Sequence, residues 1–166
     1  MYALKPISHD TVAGALAKAE RYRLLNEPGE AESICRDILE IEPGNQQALI
    51  SLMLALTDQF GQDARTFAAA LAIAERLESP YERAYYAGIA WERRAKARHH
   101  GAGHSAHRYA YDWLVNALER FHEAERLRPP GNDDAVLRWN ACVRYLESHK
   151  ELAPAPAETP EPIVSE

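Results

Sequence analysis

Long apolar runs are missing from this 166-residue chain, and none approaches the ~20 residues that a membrane-spanning helix needs. The opening residues Met1–Asp10 hold no extended apolar core and no small-residue cleavage site, so they do not read as a secretory signal. Glycine is scarce: eight are present, and three of them fall between Gly88 and Gly103. Long stretches are therefore left free of the residue that most weakens a helix interior, proline apart. Only two cysteines occur, Cys35 and Cys142, and each sits on an apolar helical stripe. That placement predicts two reduced, buried thiols and suits a cytoplasmic location. Net positive charge is also lacking. The formal charge is −6, so nucleic acid is not an expected partner. Nucleophile elbows, phosphate-cradling glycine loops, dinucleotide fingerprints and cysteine pairs at zinc spacing are all missing. No enzymatic activity and no cofactor are expected.

What the chain does have is punctuation. Pro43, Pro80, Pro129 and Pro130 each follow a helix-like stretch, and similar phrases precede them: Ile38–Glu42, Ala74–Ser79 and Ala124–Arg128. Pro43 and Pro80 are 37 residues apart, and Pro80 and Pro129 are 49 apart, as in a helical repeat with one enlarged unit. Between the prolines the apolar spacing is helical. Ala19 and Tyr22 fall on one helix and Ala31, Cys35 and Ile38 on the next, with a break at Asn26–Gly29. Leu49, Leu52, Met53 and Leu56 lead to Phe67, Leu71 and Ala74 across a break near Gly61. Gly88 and Trp91 lead to Trp113, Ala117, Phe121 and Ala124. A last helix opens at Asn132–Asp133 and carries Ala135, Trp139 and Leu146. The count is seven helices, antiparallel to their neighbours because the connections are short. From residue 150 the composition changes; Ala153–Pro162 holds four prolines and no periodicity, which predicts a disordered tail over 150–166.

These residues resemble the tetratricopeptide repeat family. Ala19, Tyr22, Ala31 and Pro43 match its small, aromatic, small and proline positions in a first unit over 12–45. Gly88, Trp91, Ala117, Phe121, Ala124 and Pro129 match them in a third over 81–130. The second unit, 46–80, departs from the pattern, with Met53 at the small position and Leu56 at the aromatic one. A capping helix over 132–149 would complete one repeat domain, residues 1–149. The resemblance implies an all-α fold: a right-handed superhelix of helix pairs whose first helices line a concave groove. It implies a protein-binding adaptor or scaffold that takes a peptide or helix of another protein. The family's positions place Leu16, Glu20 and Arg23 in that groove, then Ile50, Leu54 and Asp58, then Tyr85, Ile89 and Arg93, then Asn140 and Arg144. An apolar centre bordered by both signs of charge suits an amphipathic helix or an extended peptide. The members that clamp chaperone carboxylates use cations at positions held here by Leu16, Glu20, Ser51, Glu82 and Tyr86, so that use is not expected.

The stretch Arg93–Arg108 reads as an insertion between the two helices of the third unit. It carries five Lys or Arg, no acid, and four of the seven histidines. His100, His104 and His107 are spaced to share a helical face and are the candidate metal ligands, although Gly101 and Gly103 weaken a helix there. The cations suit either an anion or acidic partner, or the C-terminal dipole of a helix. A metal- or anion-binding sensor is thus the alternative reading of the chain, and self-association is a third.

Overall fold

The computed structural model describes residues 2–61, 65–99 and 104–153, and within them the chain is all-helical. Seven α-helices run in order among the described residues: α1 Val12–Leu24, α2 Pro28–Ile41, α3 Gln46–Thr57, α4 Arg65–Ala74, α5 Pro80–His99, α6 His104–Leu127 and α7 Asp134–Ser148. None is both long enough and apolar enough to cross a membrane.

The breaks have local causes. Asn26 takes a left-handed φ of 60° after α1, and Pro28 opens α2. Proline at a helix start loses nothing, because the first N–H groups have no intrahelical acceptor. Asn45 caps α3 by accepting from the Ala48 amide at 2.9 Å. Pro80 acts differently from expectation. The helix before it ends at Ala74, and Pro80 is the first residue of α5, where the Ser79 hydroxyl accepts from the Glu82 amide at 3.3 Å. Gly131, with φ 81°, makes the turn after Pro129–Pro130, and Asn132 Oδ1 accepts from the Asp134 amide at 2.9 Å.

Each helix packs on its sequence neighbours, and α1 also packs on α3, and α3 on α5. Two principal cores result. The first gathers Ala19, Ala31, Cys35, Met53, Ala55 and Ala70 from α1 to α4. The second gathers Ile89, Leu114, Ala117, Phe121, Cys142 and Leu152 from α5 onward. Leu54 and Tyr86 pack against both. Small residues let the helices approach, and one pair shows how closely: a Cβ built on Gly88 would lie 2.6 Å from Phe121 Cε1.

Two expectations change. The enlarged third unit is mostly added helix. α5 has 20 residues and α6 has 24, and α5 carries Arg93–Arg98 as helix with Lys96, Arg98 and His99 in its last turn. Cations there meet the negative end of the helix dipole. The ordered region also passes residue 149. A 3-10 turn over Lys150–Leu152 follows α7, and Leu152 is 1% exposed in the second core. The proline-rich stretch 154–166 lies outside the described residues.

Candidate functional site

α1 packs on α3, and α3 on α5, so these three helices neighbour one another in turn. Between α1 and α3 lies a depression of about 510 Å³, lined by Leu16, Glu20, Arg23, Ile50 and Leu54 together with smaller neighbours such as Ala13 and Ser51. Leu16, Ile50 and Leu54 are half-buried, so an apolar floor meets solvent there. Five of the expected groove residues are thus brought together.

At the C-terminal ends of these helices the charged residues satisfy one another. Arg23 Nε donates to Asp58 Oδ2 at 2.8 Å, Arg93 Nη1 donates to Asp58 Oδ1, and Arg93 Nη1 also donates to Thr57 Oγ1 at 2.7 Å. Asp58 is the residue after α3, so one carboxylate ties α1 and α5 to the end of α3. These three groups were expected to border the groove. Paired, they brace its rim.

The expected groove residues on α5 and α7 differ in exposure. Ile89 is 2% exposed and belongs to the second core, so it offers no surface to a partner. Tyr85 is half-buried, with its ring stacked on Tyr81 at 5.6 Å. Asn140 is half-buried and Arg144 exposed, both on α7. Between α5 and α7 lies Glu92, the one charged residue buried among the described residues, at 1% exposure. Lys96 Nζ donates to its Oε1 at 2.6 Å, and Arg138 Nη1, from α7, lies 3.4 Å from its Oε2. A carboxylate taken out of water requires such partners. The local pattern carried this signal: Glu92 stands three residues after Ile89 and three before Ala95, on the buried stripe, with Lys96 one turn on.

The chain matches no family model and no curated protein.

The histidines meet at the far end of α5. The rings of His99 and His107 are 5.5 Å apart, and His149 lies 4.8 Å from His99 on another side. His99 Nδ1 shares a hydrogen bond of 2.6 Å with the Tyr145 hydroxyl, and its Nε2 is 3.3 Å from Glu151 Oε1. The Glu151 carboxyl is held below the usual range, first by a hydrogen bond from its own backbone N–H and then by His149 and His99. Of the expected metal set, His100 and the side chain of His104 lie outside the described residues. Among the described residues no three His, Cys, Asp or Glu are placed to hold a metal ion. His149 had no sequence signal, since fifty residues of chain separate it from His99.

Tyr109 and Trp113, four residues apart on α6, share a face and stack at 6.0 Å. Arg94 lies between Phe67 and Trp113, its guanidinium carbon 3.8 Å and 4.0 Å from the two ring centres. Both cysteines are free and buried. Burial pushes the Cys35 thiol up to about 11, and burial with the nearby Glu92 pushes Cys142 up to about 12.

Proposed function

We propose that this chain is a tetratricopeptide-like adaptor that binds an apolar-anchored peptide or amphipathic helix of another protein between α1 and α3. The observation that carries the reading is the open depression there, floored by Leu16, Ile50 and Leu54. An apolar strip left open to water gains free energy when a partner covers it. The repeat reading draws support from the row of contacts α1 to α3 to α5 and from the Gly88–Phe121 contact at the positions matched to the family. In this reading the chain has no chemistry of its own, requires no cofactor, and works in a reducing cytoplasm where Cys35 and Cys142 stay as thiols.

The test is selection from a random-peptide library on the full chain, followed by titration of the enriched peptides. Enriched sequences are expected to carry apolar anchors spaced for one helical face. Ile50→Glu is expected to weaken their binding by about tenfold or more, which is about 1.4 kcal/mol, with the helical circular dichroism unchanged. Enrichment of nothing, or equal binding by the folded Ile50→Glu protein, overturns the groove reading. Ile89→Glu is not a suitable probe, because it puts an acid into the core.

A further inference from the structure

Both signs of charge were expected around the apolar centre of the groove, and the structure leaves one of them free. Among the residues that line the α1–α3 depression only Glu20 and Arg23 are charged. α3 adds none, since Gln46–Thr57 holds no charged residue at all. Lys18 of α1 lines a separate depression toward α2, together with Ile34 and Asp37. Arg23 is committed to Asp58, which also holds Arg93. Two guanidiniums share that carboxylate, and their surplus charge sits beside the C-terminal ends of α1 and α3, the negative ends of those dipoles. Glu20 is exposed, and its carboxylate bonds or pairs with no described residue. It stands one helical turn after Leu16, so an apolar floor meets a single unpaired negative charge.

The candidate occupants differ in charge. A second copy of the chain brings a formal −6 against −6. The chain's own residues 154–166 carry Glu158, Glu161 and Glu166 and no cation. Either one sets like charge beside Glu20, on a protein whose overall field is negative. A segment with lysine or arginine next to its apolar anchors is attracted by that field and pairs with Glu20 on arrival. We propose that the occupant of the α1–α3 depression is a cationic amphipathic segment of another protein, with apolar anchors over Leu16, Ile50 and Leu54 and a lysine or arginine on Glu20. This partner class rests on the groove reading above and adds a sign to it.

Three synthetic helical peptides test the sign. They share one leucine face and carry lysine, glutamine or glutamate beside it, and each is titrated against the full chain by fluorescence anisotropy at low and high salt. The lysine peptide is expected to bind at least about tenfold more tightly than the glutamate peptide at low salt, with a smaller gap at high salt. Glu20→Gln is expected to weaken the lysine peptide about two- to fivefold, as loss of one exposed pair does, and to leave the glutamine peptide unchanged. Glu119→Gln removes the same charge from an exposed site on α6 and is expected to alter neither. Equal affinity of the lysine and glutamate peptides overturns the proposal, as does a lysine preference that Glu20→Gln and Glu119→Gln reduce alike. Tighter binding by a peptide of residues 154–166 also overturns it and makes the tail the occupant. Ile50→Ser removes apolar floor without adding charge and separates the two readings. If it weakens all three peptides and they bind wild type equally, the groove stands and its cationic partner falls. If no peptide binds, or Ile50→Ser leaves binding intact, the groove and the partner fall together.

Discussion

The two halves of the molecule solve the same packing problem with different materials. α1 to α4 are short, 13, 14, 12 and 10 residues, and their core is rich in alanine, with Met53 and Leu52 filling the gaps. α5 to α7 have 20, 24 and 15 residues, and their core is built on Phe121 with half-buried Tyr85, Trp91, Trp113, Trp139 and Tyr145 around it. Tyr22, Phe60 and Phe67 pack against the alanine-rich core from its sides, and the α1–α3 face stays open over Leu16, Ile50 and Leu54. Between α5 and α7, long side chains reach across: Arg138 to Glu92 at 3.4 Å and Tyr145 to His99 at 2.6 Å. All three tryptophans lie in the second half, which makes their fluorescence a reporter of that half alone, while helical circular dichroism reports both.

The strongest way to break the contrast is at Gly88. Gly88→Ala adds a methyl that meets the Phe121 ring at 2.6 Å, inside a core where Phe121 is fully buried. Alanine recovers about 1 kcal/mol of helix propensity, but overpacking of this kind costs about 1–3 kcal/mol and here has no free space to relax into. A net loss of about 1–2 kcal/mol is expected, from the upper part of that range. Urea unfolding should show it as a larger shift in the tryptophan transition than in the circular dichroism transition, if the halves respond as neighbouring units of an array. Addition of Phe121→Leu should recover part of the loss, since the two residues share one contact. Identical shifts by both probes would mean that the halves unfold as one.

Gly88 was legible as a small residue at a helix crossing, whereas Phe121 as its partner shows only in the packing of α5 on α6. The seven helices were legible too: the 3.6-residue spacing is local, and proline, asparagine and glycine mark its ends. Partnerships between helices were not. Arg23, Asp58 and Arg93 were read as three charges facing a partner, and only the stacking of α1, α3 and α5 shows that they bond to one another. Nor was the partnership of Glu92 legible, since an acid on a helix is usually solvated. Its place on the buried stripe outweighs that habit once Arg138 arrives from α7. The role of Pro80 was ambiguous by nature, since a proline after one helix and a proline opening the next look alike in sequence.

A second, smaller perturbation acts on the seam between the halves. Arg94 of α5 is sandwiched between Phe67 of α4 and Trp113 of α6, so one side chain joins the last helix of the alanine-rich half to the aromatic one. Arg94→Met keeps most of the packed stem and removes the charge. Loss of two cation–ring contacts is expected to cost about 1–1.5 kcal/mol. A double-mutant cycle with Phe67→Leu should return a coupling energy of about 0.5–1 kcal/mol, and a value near zero would reduce the sandwich to simple packing.

The smallest effect should come from the open half, and it asks whether local order in α3 supports the groove. Asn45 Oδ1 accepts the Ala48 amide at 2.9 Å, and Asn45 Nδ2 donates to Glu42 Oε2 at 2.8 Å, so this residue both starts α3 and closes the turn after Pro43. Asn45→Ala leaves one helix-start amide without its acceptor, at a cost of about 1 kcal/mol. Asn45→Asp retains the acceptor and favours the positive end of the helix, but it places a second carboxylate beside Glu42, whose acidity is already raised, first by Asn45 and then by His9. The aspartate should therefore recover most of the loss near neutral pH. Below the carboxylate range its proton weakens the cap, and the two variants should converge. Thermal unfolding of both proteins at pH 7 and at about pH 2.5, below the ordinary aspartate range, measures this directly. Equal stability of Asn45→Ala and wild type would show that α3 is held by its packing on α1, α2, α4 and α5 alone, and that the groove floor does not depend on how the helix begins.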